Sequence, residues 1–423
     1  MTFKPVAVGD LVEQHASEAA FLWGQRDAGA SSPGYDLDDL ADLDEQLEAH
    51  LDGLRIANDV GWKLAFQALE EEIEPGEAFV AAKLTLDRND LKGFALVLDK
   101  VGEEEALWRA LPSAIGFCPV ETMGKVLRAM VAPEVPAMLR KMGIAGHAVH
   151  RLDPGDPLEA ALHDEDRGLR LRALEAVGEL SATRLADQLR PHMTGEDQEA
   201  RFWASYSAAL LGQRAGVMGL QRVAEADDGP LGERAAQLAA CLLEPEAALN
   251  WISGLDAAGR RRVALIGAAT AGHPGLLPWI AVCMQEEEHA RRAGNAFYAI
   301  TGVPIDDELE ADAPEELADE IEEAEDGGDD PDEDLEWPHP ETVAAWIERE
   351  QLETGGSRLL LGKPIGRDWL QTVLRDARQP QRQVAAWLRL CEGIDVMPFP
   401  VSAPATEQKA KLPTRPVDVE PLS

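Results

Sequence analysis

The sequence predicts an all-α protein: an α-solenoid of stacked helical hairpins, interrupted by an acidic insertion and closed by a small helical C-terminal region. Three observations predict it. Ala and Leu dominate while Tyr is scarce and only 5% of residues are aromatic, which favours helix over strand. Apolar residues recur at helical spacing, with breaks at Gly and Pro. After Asp153 the pattern repeats about every 30 residues. At 423 residues the chain is long enough for such an array.

The first helix is expected over residues 9–28, with Leu11, Val12, His15, Ala19, Phe21, Leu22 and Trp23 at helical spacing. The small residues from Gly29 to Tyr35 make a loop. Asp36 and Asp38 then open a second helix, where negative charge complements the dipole. Its stripe is Leu37, Leu40, Leu43, Leu47, Leu51 and Leu54, with His50 and Arg55 beside it. From Pro75 shorter helices follow, first Ala78 to Leu86, Leu91 to Val101 and Thr122 to Val131. His147 and His150 are spaced for a helix face, but no third ligand accompanies them and Gly146 reads as a helix end, so no metal is expected.

The repeat is carried by Arg170 to Gly178, Arg201 to Gly212, Arg234 to Leu243, Arg262 to Gly272 and Arg292 to Gly302. Each begins near Arg and keeps one apolar face. Gly178, Gly212, Gly272 and Gly302 read as C-terminal stops. The intervening Leu185/Leu189, Leu220/Val223, Ile252/Leu255 and Leu276/Ile280 mark partner helices. Neither helix of a pair can bury its stripe alone, and stacking buries both. The repeated arginines suit ion-pair ladders between repeats or a basic strip.

After Gly302 the composition changes. Residues 306–336 contain nineteen Asp or Glu and no Lys or Arg. Apart from a short helix expected over Glu315 to Glu325, this block should be mobile. Asp329, Asp330, Asp332, Glu333 and Asp334 are the candidate partner-binding residues. They lack the glycine position of a calcium loop. Order resumes at Trp337, with a helix from Pro340, an apolar loop or strand-like segment over Ser357 to Ile365, and a helical pair over Asp368 to Arg378 and Arg382 to Leu390. The Pro-rich tail from Val401 reads as disordered. The expected organisation is therefore 1–74 (N-terminal helices), 75–303 (repeats), 304–336 (acidic insertion), 337–400 (C-terminal helices) and 401–423 (tail).

The net charge of -39 disfavours nucleic acid and anionic membranes and favours a basic protein partner. The four cysteines show no zinc or redox spacing. No run of about 18 apolar residues occurs and Met1–Pro5 has no apolar signal core, so a cytoplasmic protein is expected. Phosphate loops, nucleophile elbows and metalloprotease or dinucleotide motifs are missing. No catalytic residue, cofactor or metal ligand is assigned, and an enzyme is not expected.

Several stretches carry a resemblance. Leu43-Asp44-Glu45, with Glu48-Ala49-His50-Leu51-Asp52-Gly53-Leu54-Arg55, resembles the opening of a bacterial family of HEAT-repeat-like proteins. His15, Ala19-Ala20, Phe21-Leu22-Trp23, Ile300-Thr301-Gly302, Trp337-Pro338 and Leu359 through Pro364 match in order and spacing. Members of that family are often encoded beside type VI secretion effectors with a PAAR-type tip and a nuclease domain. The resemblance implies HEAT-like hairpins and an immunity protein that neutralises a DNase toxin by occupying its basic surface. An effector adaptor or chaperone is the alternative it leaves open.

Overall fold

The computed structural model describes residues 9–102, 104–313, 330–350, 352 and 357–413. The expected helix over 315–325, and Asp329, lie outside them. The architecture is all-α: a solenoid of paired helices with a single two-residue hairpin among the described residues.

The chain opens with α1 (Gly9–Gly29) and α2 (Leu37–Ala57), which pack along their length. Asp36 caps α2: its carboxylate accepts from Asp38 and Asp39 N–H, while the Asp39 carboxylate accepts from Asp36 N–H. All six leucines of the α2 stripe are buried. The α1 expectation is corrected in part, because Leu11 and Phe21 face solvent (52% and 67% exposed) while Val12, Leu22 and Trp23 turn inward.

Next come α3 (Asp59–Glu71), α4 (Pro75–Asp87), α5 (Leu91–Val101), α6 (Glu105–Trp108), α7 (Ala110–Gly116), α8 (Val120–Met130) and α9 (Ala137–Val149). One apolar core runs from Val12 on α1 to Met142 on α9, so position 74 is no packing boundary. Gly146 does not end a helix. It lies buried within α9, where a Cβ would come 2.4 Å from Leu127 Cδ2, so close packing is its purpose.

After α10 (Asp156–Ala161) the array becomes regular. Its inner helices are α11 (Arg167–Glu179), α13 (Gln198–Leu210), α15 (Pro230–Leu242), α17 (Arg261–Ala271) and α19 (Glu287–Thr301), each stacked on the next. The outer partners are a 3-10 turn (Thr183–Leu189) running into α12 (Arg190–Met193), then α14 (Arg214–Ala226), α16 (Pro245–Ala257), and a second 3-10 turn (Pro274–Leu276) leading into α18 (Leu277–Cys283). Asp166 and Asp197 cap α11 and α13 by accepting backbone N–H groups.

Gly212, Gly272 and Gly302 adopt the left-handed conformation expected after a helix (φ 75°, 63° and 72°). Gly178 is the exception. It stays inside α11, donates its N–H to Ser207 Oγ at 2.9 Å, and a Cβ there would meet that oxygen at 2.7 Å. It sets the approach of α11 to α13 rather than a stop.

The C-terminal region comprises α20 (Pro340–Glu350), β1 (Leu359–Leu360), β2 (Lys363–Pro364), α21 (Arg367–Asp376), α22 (Gln379–Cys391) and α23 (Ala405–Lys411). The hairpin turns through Leu361 and Gly362, both at positive φ (48° and 74°). Its backbone docks on the ends of two inner helices: Leu359 N–H donates to Gly272 O at 2.8 Å, and Leu361 N–H to Ala299 O at 2.9 Å.

The tail expectation is overturned for residues 401–413, while 414–423 lie outside the described residues. Residues 405–411 form a helix because Gln408, fully buried, bonds Val401 O and Ala403 O, and Ala405 packs on Leu37 and Leu40. Here the N-terminal helices and the C-terminal region meet. Buried Arg26 on α1 donates to Asp44 (3.0 Å), Ser402 O and Ala403 O (2.7 Å each), while Ala405 N–H donates to Asp44. Arg378 reaches Asp39 at 2.9 Å and Gln379 N–H donates to Tyr35 O. The same C-terminal region packs against α13, α15 and α19. The array is therefore closed from its first helices to its last.

Candidate functional site

Two groups of charged side chains stand out, one at the end of the array and one on its inner wall. The first involves the acidic block. Residues 330–336 fold back onto the starts of α17 and α19. Asp332 is 4% exposed. Its carboxylate accepts from Arg262 Nη1 at 2.7 Å and Nη2 at 3.0 Å, and pairs with Arg292 at 2.5 Å. Arg291 holds Asp332 O (2.8 Å) and the Asp330 carboxylate (2.5 Å), and its guanidinium lies over the Trp337 ring. Burial pushes the Asp330 carboxyl up, but the Arg291 hydrogen bond and the N–H of Asp332 outweigh it and hold it below the usual range.

The five candidate partner-binding residues therefore divide. Asp330 and Asp332 are committed to internal arginines, where the sequence predicted a mobile block. Glu333 and Asp334 are exposed, with Asp334 accepting from Ser32 Oγ at 2.7 Å. Asp329 lies outside the described residues. The segment is ordered because three guanidinia at one place compensate the carboxylates whose mutual repulsion predicted mobility.

The repeated arginines divide as well. Arg262 also donates to Glu233 of the preceding repeat at 2.7 Å, and Arg167 reaches Asp197 and Glu199 of the next (2.7 and 2.8 Å), so a ladder exists. Arg170 and Arg201 instead hold loop carbonyls, Asp164 O and Glu196 O. Arg234 does neither, and belongs to the second group.

On the inner wall, Arg172, Glu175 and Glu179 share one face of α11. Arg172 Nη1 is 2.7 Å from Glu179 and 3.3 Å from Glu175. From α15, the Arg234 guanidinium lies 4.8 Å from the Trp203 ring and 5.2 Å from the Tyr206 ring, both on α13. Trp387 of α22 closes in, 6.4 Å from Tyr206. Arg151, just past α9, acts electrostatically on Glu179 and Arg172. It adopts positive φ (57°), and its Nε is buried without a hydrogen-bond partner.

Burial is the largest influence on all six titratable groups here. It drives the Glu175 carboxyl up, aided by Glu179 and opposed by Arg172. For Glu179 burial also pushes up, but Arg172 and Arg151 outweigh it and hold the group down. Two carboxyls on one helix are thus pushed apart. Burial likewise raises the Tyr206 phenol. Yet Arg234 is solvent-exposed, and Glu175 and Glu179 keep 25% and 28% of their side-chain surface. These groups are crowded by protein yet keep contact with water.

Sequence reasoning missed this cluster. The available signal was the triplet Arg172, Glu175, Glu179, which interleaves with Leu171, Leu174 and Val177. The histidine expectation is accounted for by hydrogen bonding. His147 Nδ1 lies 2.7 Å from Gly143 O, and His150 Nε2 lies 3.1 Å from Ile115 O. Among the described residues no three His, Cys, Asp or Glu converge as a metal site, and no helix is long and apolar enough to cross a membrane. Of the cysteines, Cys118, Cys241 and Cys283 are buried and Cys391 is exposed. Burial raises the Cys241 thiol to about 12.

No family model and no curated protein matches the chain. Among solved structures, an engineered protein from a structural-genomics consortium aligns over 90% of this chain and 99% of its own, at 13% identity and a TM-score of 0.31. A likeness at that level carries no argument.

Proposed function

We propose that the protein binds rather than transforms its partner, and that the partner is a basic protein. The observation that carries this reading is the direction in which charge is spent. Arginines at the array's repeats are turned onto carboxylates, carbonyls and rings of the chain itself. Meanwhile Glu13, Glu18, Glu45, Glu70, Glu72 and Glu74 stand exposed with no ion pair among the described residues. With a net charge of -39, the outer face steers cationic surfaces toward it and repels polyanions.

Together with the family resemblance, this supports an immunity protein that blocks a type VI secretion nuclease toxin by covering its basic, phosphate-binding surface. Glu333 and Asp334 remain candidates for that contact, because they are exposed beside a rigidly held turn. Co-expression with the neighbouring effector tests the reading. The expected outcome is restored growth, with DNA cleavage by the purified toxin inhibited and an association rate that falls as salt rises. Persistent toxicity sinks the immunity role, and effector export that then depends on this chain assigns it as an adaptor.

A further inference from the structure

We propose that the inner wall of the closed array holds a binding site for a small oxyanion, a carboxylate- or phosphate-bearing molecule gripped by Arg151, Arg172 and Arg234. The geometry begins with an imbalance. Three guanidinia face two carboxyls, and the close contacts of both carboxyls are with Arg172. Arg234 makes no ion pair among the described residues. It lies instead over two aromatic rings, with Glu175 and Glu179 acting on it from a distance. Among the described residues Arg151 donates from Nη1 to Ala148 O at 3.2 Å, and its Nε is a buried donor without an acceptor. A native fold seldom leaves such a donor unmet, and an anion supplies the acceptor.

The groups also suit an anion chemically. Arginine presents its N–H groups in a fork that matches carboxylate and phosphate oxygens. Burial pushes the Glu175 carboxyl up, which lessens its competition with an incoming anion. Trp203, Tyr206 and Trp387 supply flat apolar walls beside the cations. The outer surface repels anions, so a cluster in which guanidinia outnumber carboxyls is where one can settle. The site is independent of the protein partner proposed above.

Titration calorimetry on the full chain, with inorganic phosphate and with citrate in a low-chloride buffer, tests the proposal. Saturable binding of at least one probe is expected. Arg234→Gln and Arg151→Gln should each weaken it tenfold or more while leaving the circular dichroism spectrum unchanged. Glu175→Gln, which mimics the protonated carboxyl, should retain binding, and Glu333→Gln, outside the cluster, should leave it unaltered. Absence of saturable binding with both probes overturns the site. So does binding that survives both arginine substitutions, which would place the anion elsewhere. If either arginine variant unfolds, the matching lysine variant replaces it, and undiminished affinity in a folded Arg234→Lys, whose rings no longer hold a planar fork, counts against the proposal.

Discussion

Asp332 shows how much one residue's role depends on its surroundings. In the sequence it is one carboxylate among nineteen in its block. In the fold it is buried between Arg262 and Arg292. Removing one partner of a buried pair leaves charge uncompensated, at a cost of about 3 kcal/mol. Asp332→Asn should therefore lower the thermal midpoint by several degrees, whereas Glu333→Gln, at an exposed neighbour, should move stability by no more than about 0.5 kcal/mol. Equal midpoints for the two variants, measured by differential scanning calorimetry, would show that the clamp contributes nothing.

At the scale of elements, the helices were legible because their periodicity is strong: α2, α4, α5 and the five inner helices fall where the apolar spacing puts them. Leu238 on α15 is fully buried between repeats. Leu238→Asp places a charge there without a partner, and should abolish cooperative unfolding or lower the denaturation midpoint drastically. An unaltered urea curve would refute the register of the array. What was not legible depends on contacts far apart in sequence. Nothing local says that Val401 to Leu412 orders, because the groups that hold it, Arg26 and Asp44, come more than 350 positions earlier. Gly146 and Gly178 were misread for the same reason: a glycine that ends a helix and one that admits a neighbouring helix look alike until the neighbour is known. The inner-wall cluster was hidden because its members come from four separate helices and one loop.

Across the whole molecule, pH acts through carboxylates held below their usual range. For Asp197 the Arg167 hydrogen bond is the main cause. For Asp164 and Asp330 burial pushes up, but hydrogen bonds from Arg140 and Arg291, joined by backbone N–H groups, win. A carboxyl whose folded value is depressed adds stability that is fully present above its unfolded value of about 3.9, and lost as pH falls through the folded one. The fold should therefore weaken below about pH 4, and helical signal recorded down to pH 2 would reveal the loss. Asp197→Asn should shrink that acid-dependent portion, and an identical acid profile would exclude the Arg167 pair as its source.

The meeting of the first helices with the C-terminal region near Arg26 and Asp44 has a mechanical consequence. Linear repeat stacks fray from their exposed caps, and they flex like a spring when pulled or when a guest presses into the groove. A stack whose last helices are tied to its first has no free cap from which to unzip. Its curvature is preset before any encounter, so a protein that docks on its rim meets a surface of fixed shape rather than a hand that closes.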